Sequence, residues 1–269
     1  MDLVSQHNHT NLTGHGEGSI GELAAWAHRV GMKNIAVTEH YPLSADFDPD
    51  NYISMPRSAL EHYRRDVLSQ RELYPDMEVV LGCELDWLGS DEDRTFAPDE
   101  FDCFDLIIGS VHFVDAWPFD DPAQRGHWDE LGPDVIWRRY FEIWCEAVTS
   151  SAPFTVMAHP DLVKKFNIYP SFDPQRLYRE AAEAARAGGR MVEVNTSGNY
   201  YLCKEMYPNE GLLREFNRAG IPVTIGADAH TPMHVNRDIM EGYRLMYDAG
   251  YREVTVVLPG GGRRVMPLE

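Results

Sequence analysis

Short apolar runs recur along this chain, and most of them end on the same few side chains. His7-Asn8-His9 follows the first run, and Asp228-Ala229-His230 follows a late one. Between them stand His15, His40 in Thr38-Glu39-His40, Glu84 in Gly82-Cys83-Glu84, His112 in Ser110-Val111-His112, and His159 before Pro160-Asp161. Seven of the eleven histidines and two carboxylates thus share one kind of position. Independent core histidines would not all fall just past strand ends. The chain needs a fold that gathers many strand ends in one place.

The rest of the pattern alternates strand and helix. Leu3–Ser5, Asn34–Thr38, Glu78–Cys83, Leu106–Val111, Phe154–Ala158, Met191–Val194 and Val223–Ala227 read as strands, with Glu253–Leu258 a further candidate. A capping box, Ser19-Ile20-Gly21-Glu22, opens a helix that stops at Gly31. Pro56–Leu73, Pro133–Val148, the alanine-rich Pro174–Ala187 and Asn209–Ala219 are helical in pattern.

Continuous apolar strands separated by helices imply a parallel sheet covered on both faces. An open doubly wound sheet would spread the strand ends along a line, whereas a closed barrel brings them to one face. No Gly-x-Gly-x-x-Gly fingerprint supports a dinucleotide fold. The expected architecture is α/β, a distorted β/α barrel of the TIM type with seven site-bearing strands. Without an internal repeat or long linker, all 269 residues are expected to form a single domain.

Imidazole and carboxylate are ligands for zinc, manganese or iron. His7 and His9, spaced i and i+2 on extended chain, point to one side and can share one ion, and Asp228 and His230 repeat that spacing. Glu84 can bridge two cations with its two oxygens. A multi-metal hydrolytic centre is therefore expected. Two cations about 3.5–4 Å apart lower the pKa of a bridging water and stabilise charge on a phosphoryl group. The expected reaction is in-line attack by metal-bound hydroxide, with no covalent enzyme intermediate.

These runs, together with Gly109-Ser110-Val111-His112-Phe113, Glu193-Val194-Asn195-Thr196-Ser197-Gly198 and Gly226-Ala227-Asp228-Ala229-His230, resemble the polymerase-and-histidinol-phosphatase (PHP) superfamily, most closely its histidinol-phosphate phosphatase branch. The resemblance covers about the first 235 residues. It implies a distorted barrel of seven β/α units and three divalent metal ions. Carried over by position, His7, His9, Glu84 and Asp228 would hold the first ion. Glu84, His112 and His159 would hold the second, and His15, His40 and His230 the third. The implied activity is hydrolysis of L-histidinol phosphate, in histidine biosynthesis.

Asp161 is a candidate acid for the leaving alkoxide, or a cap beside Pro160. Lys164 and Lys165 could contact phosphate or lie in solvent, and Asn195 and Ser197 could bond substrate, support ligands or cap. An ammonium and an imidazole on the substrate would suit Glu17, Asp115, Trp117 and Asp120, on loops after site strands. The chain departs from the family beyond Gly198. Asn199, Tyr200 and Tyr201 stand where an arginine suited to phosphate usually follows, and the nearest cation is Lys204.

The net charge of −19 argues against a polynucleotide partner, because such surfaces carry a basic footprint. It leaves room for a small phosphorylated substrate held by cations, or for a mononucleotide. An amidohydrolase-type hydrolase is the other enzyme class with an early His-x-His, but it bridges its metals with a strand-end lysine where this chain has Glu84. The four cysteines are widely spaced and read as buried thiols. No signal-like start or membrane-length apolar run is present, so a cytoplasmic protein is expected.

Overall fold

The computed structural model describes residues 1–89 and 99–268. The chain begins β1 (Leu3–Ser5), α1 (Ile20–Arg29), β2 (Met32–Val37), α2 (Leu60–Leu73), β3 (Glu78–Asp86) and β4 (Leu106–Ser110). A small hairpin, β5 (Phe113–Val114) and β6 (Trp117–Pro118), leads to α3 (Gly126–Leu131) and α4 (Pro133–Thr149). Then come β7 (Val156–Met157), α5 (Gln175–Gly188), β8 (Met191–Asn195), α6 (Glu210–Arg218), β9 (Val223–Gly226) and α7 (Ile239–Asp248). A last hairpin pairs β10 (Glu253–Val257) with β11 (Arg263–Pro267).

Local chemistry explains the clearest of these elements. Ser19 accepts from the Glu22 amide while the Glu22 carboxylate takes the Ser19 N–H, so two orphan donors of α1 are met at once. In α5 the residues Leu177, Tyr178, Ala181, Ala182 and Ala185 form one buried stripe, and Gly189 ends it in the left-handed conformation at φ 65°.

Seven strands form one sheet in the order β1-β2-β3-β4-β7-β8-β9, and every registered neighbour pair is parallel. The two edge strands meet just beyond their ends. Gln6 N donates to Ile225 O at 2.8 Å, Asp228 N to His7 O at 2.9 Å, and His9 N to Ala229 O at 2.7 Å. These bonds nearly close a distorted barrel at its carboxyl-terminal rim. Inside it, Ala36, Val80, Leu106, Ile108, Val156, Ala158 and Met191 pack with Val257 of β10.

The anticipated strand at Glu253–Leu258 exists, but it is paired with β11 and not with the barrel. It lies across the amino-terminal end. Val257 N donates to Gln6 Oε1 at 2.8 Å, Asn34 Nδ2 donates to Val257 O at 3.0 Å, and Arg264 holds Glu78 at 2.8 Å. One end of the barrel is therefore sealed by backbone and apolar packing, and the polar ligands crowd the other. Among the described residues no helix is long and apolar enough to cross a membrane.

Candidate metal centre

The ends of β1 and β9, with Glu84 of β3, bring four donor atoms together. His7 Nε2 is 3.0 Å from His9 Nε2 and 3.1 Å from Glu84 Oε2, and His9 Nε2 is 3.2 Å from that same oxygen. Asp228 Oδ1 completes the group at 3.3 Å from His9 and 3.7 Å from His7. Donors about 2.0–2.1 Å from a tetrahedral ion stand roughly 3.3 Å apart. The proton inventory points the same way. Glu193 accepts from His7 Nδ1 at 2.9 Å, and His7 Nε2 faces carboxylate oxygens of Glu84 and Asp228. Burial disfavours charge on His7, but Glu193, Glu84 and Asp228 raise its pKa well above the usual value. A cation between Nε2 and those oxygens would take the place of that proton, so the donor set fits a metal.

Glu84 stands at the middle of the whole assembly. Its Oε2 lies 3.1 Å from His40 Nδ1, while its Oε1 lies 3.2 Å from His159 Nε2 and 3.7 Å from His112 Nε2. Among the described residues three groups with converging donors result: His7, His9 and Glu84; His40, Glu84 and His112; His9, His40 and His230. The last two differ from the partition that the resemblance implied, because His40 joins Glu84 and His112, and His9 joins His40 and His230. The ring of His15 lies 4.7 Å from His230 and 5.3 Å from His40, on the outer side of that cluster. Two of these side chains sit on left-handed backbone, His159 at φ 24° and Asp228 at φ 48°. Such strain is tolerated where surrounding contacts fix the residue, and it often marks a functional site.

Supporting residues, of which the sequence reading named only Asn195 and Ser197, hold the donors in place. Asp86 accepts from His112 Nδ1 at 2.7 Å, and Ser110 donates to Glu84 Oε1. Glu193 also takes the His159 amide at 3.0 Å. Glu39 accepts from the Thr10 amide at 2.7 Å and comes within 3.9 Å of His9 Nδ1. Asn195 and Ser197 each donate to Asp228 Oδ2 at 3.2 Å, so both act first on a candidate ligand. An alternating inward charge in Met191-Val192-Glu193-Val194-Asn195 was the available signal for Glu193.

Burial disfavours charge on His9, His40, His112 and His230, and neighbouring carboxylates decide the outcome. At His9 the carboxylates of Asp228 and Glu84 overcome burial and raise the pKa to about 9, and Asp86 does the same for His112, to about 10. At His230 burial prevails and takes the pKa down to about 3, and it holds His40 well below the usual value. Glu84 and Asp228 stay well below the ordinary carboxylate range despite burial, because the histidines surround them.

A cavity of 520 Å³ opens over this cluster, lined by Glu84, Asp228, His15, His40, His112, His159 and His230. Phe47, Tyr52, Ile53, Phe113 and Leu162 supply apolar wall, and Lys165, Ser197, Asp120 and Tyr201 supply polar wall. Several candidate substrate contacts lie elsewhere. Lys164 is wholly buried and bonds Asp161 at 2.9 Å, Glu205 at 2.9 Å and Met206 O at 2.7 Å. Asp161 is buried in that network and also takes the Asn209 amide at 2.8 Å, so it neither caps the following turn nor reaches the cavity. Asp115 is exposed and paired with Arg139 at 2.7 Å, since the tight β5–β6 turn aims it outward. Trp117 packs against Trp128 and His127, Glu17 stands near Thr231, and Lys204 is not among the lining residues.

Residues 5–197 match the PHP domain, and the chain belongs to that family. It is 30% identical over 256 residues to a probable histidinol-phosphatase of Deinococcus radiodurans, covering 94% of this chain and 96% of the relative. It is 24% identical to a probable histidinol-phosphatase of Thermotoga maritima, covering 90% of each. Among solved structures, histidinol phosphate phosphatase from Lactococcus lactis, crystallised with zinc, L-histidinol and phosphate, superposes with a TM-score of 0.78 at 19% identity, over 98% of this chain and 99% of that one. The distorted barrel expected from the sequence is thus the fold these proteins share.

Proposed function

We propose that this chain hydrolyses L-histidinol phosphate to L-histidinol and phosphate. That it is a metal-dependent phosphatase follows from its family and its full-length relatives. The finer assignment rests on one observation above all: seven histidines and two carboxylates from distant parts of the chain converge under a single cavity. The relatives named for histidinol phosphate, and the zinc, L-histidinol and phosphate held by the Lactococcus protein, supply the chemical identity.

The nine groups would hold up to three divalent ions, with Glu84 shared through its two oxygens. Such ions, when bound, supply Lewis acidity toward phosphoryl oxygens and hydroxide near neutral pH. The chain's own part is positioning. His7 is held by Glu193, His112 by Asp86 and Asp228 by Asn195 and Ser197, each through a hydrogen bond that sets the ring or carboxylate orientation. Lys165 supplies a positive charge for the phosphate, and the aromatic wall of Phe47 and Phe113 excludes water from the organic part. The departure beyond Gly198 also admits a related small phosphate monoester as the substrate.

Elemental analysis of the purified protein with steady-state kinetics on histidinol phosphate and p-nitrophenyl phosphate tests this reading. Two or more equivalents of metal and a clear preference for histidinol phosphate are expected. Glu84→Gln should cut kcat by orders of magnitude while leaving the fold intact by circular dichroism. Near-normal turnover in that variant would overturn the shared-carboxylate arrangement. Solvent oxygen-18 should enter the phosphate released.

A further inference from the structure

Lys165 is the only lysine or arginine among the described residues that line the cavity. It is not free to greet an anion. Its Nζ lies 2.8 Å from Asp120 Oδ2, with the two side chains only 14% and 17% exposed. The ring of Tyr201 sits 4.7 Å from the ammonium and fixes it from a second side. Asp120 interacts with the charges of His112 and His159, and Lys165 with that of Asp228, so the pair faces the metal-binding groups.

A sheltered ion pair recovers its desolvation cost only while both members keep a partner. A phosphate that took Lys165 away would leave the Asp120 carboxylate facing the cavity without its cation. A bare alcohol phosphate does nothing to correct this. A phosphate ester that brings its own ammonium does, because partners are then exchanged rather than lost. Asp120 and Lys165 belong to separate loops, after β6 and after the Leu162–Lys164 turn, so side-chain rotation alone can part them.

We infer that Asp120 and Lys165 form an exchangeable ion pair that selects phosphate monoesters with an ammonium close to the ester: phosphate takes Lys165 and the ammonium takes Asp120. The inference rests on the phosphatase reading above and narrows its substrate class. L-Histidinol phosphate, with an amine on the carbon next to the ester-bearing carbon, meets the requirement.

The test compares kcat/KM for two matched esters, O-phosphoethanolamine and monoethyl phosphate, beside histidinol phosphate, in the metal-loaded enzyme. Wild type should favour the amino ester. In Asp120→Asn the ratio of amino to plain ester should fall by about tenfold or more, the scale on which a desolvated charge pair is lost. In Lys165→Met both esters should lose the phosphate contact, and the amino ester, which still supplies a cation to the unpaired Asp120, should keep or widen its lead. The double variant D120N/K165M leaves no lone buried charge and should show the same loss of amine preference, which keeps the readout if a single variant fails to fold. An unchanged ratio in Asp120→Asn, or an equal loss on both esters, would overturn the inference. A wild type that prefers the amino ester yet ignores histidinol phosphate would remove the substrate assignment and leave the ion-pair selector standing.

Discussion

Glu193 Oε1 lies 2.9 Å from Nδ1 of His7, with both side chains shut away from solvent. The bond fixes the ring, so the other nitrogen, Nε2, faces His9 and Glu84 in the candidate metal centre. The second oxygen of Glu193 takes the His159 amide at 3.0 Å, so one carboxylate orients candidate ligands from two strands. Glu193→Gln keeps the shape but surrenders the charge. It should weaken metal binding and lower kcat about 10–100-fold, as outer-shell changes do. Competition with a chromogenic chelator gives the affinity, and an unaltered value would show that His7 needs no anchor.

Gly226 makes that contact possible. A Cβ there would lie 2.2 Å from Glu193 Oε1 and 2.5 Å from Cβ of His7. Gly226→Ala must therefore push apart the carboxylate and the imidazole. Overpacking of this kind costs about 1–3 kcal/mol. At roughly 2–4 °C per kcal/mol for a chain of this size, the metal-free protein should melt visibly lower. Gly21→Ala, whose Cβ would meet nothing nearer than 3.9 Å, is the control and should melt near the wild type. A normal melt and normal metal affinity in Gly226→Ala would contradict the close approach.

The ligands were legible in the sequence for a geometric reason. A parallel barrel exposes its chemistry toward strand ends, and His7, His40, Glu84, His112, His159 and Asp228 all stand at or shortly past the ends of apolar runs. Charges that act on those ligands and not on a metal were hidden. Glu193 and Asp86 read as single charges in apolar context, and only the inward face of β8 and β3 reveals their partners. Closeness in sequence misled at Asp161 and Lys164. They follow His159, yet the short helical turn at Leu162–Lys164 rotates them into a buried network while Lys165 reaches the cavity. The β5–β6 hairpin has two-residue strands, too short for any period to register. Its turn aims Asp115 toward Arg139, which no local pattern could foretell.

The cavity wall formed by Phe47, Tyr52 and Ile53 depends on one carboxylate, and this makes its integrity sensitive to acid. Asp48 is 4% exposed and accepts from Tyr52 N at 2.8 Å, Ser54 N at 2.8 Å and Ser54 Oγ at 2.9 Å, with Ile53 N at 3.2 Å. Burial pushes its pKa up, but these donors outweigh burial and hold it below the ordinary value. A carboxylate with a folded pKa below its unfolded value of about 3.9 adds stability above that value and loses it as the pH falls through the folded pKa. Asp48→Asn should therefore cost about 1.5–3 kcal/mol near pH 7, the usual worth of bonds to a charged group, and the gap from wild type should shrink below about pH 4. Amide exchange in residues 48–54 should quicken in the variant, and KM should rise more than kcat falls, because Phe47, Tyr52 and Ile53 line the cavity. A gap that stays constant from neutral pH down to about pH 3 would show that the charge of Asp48 does not hold this loop.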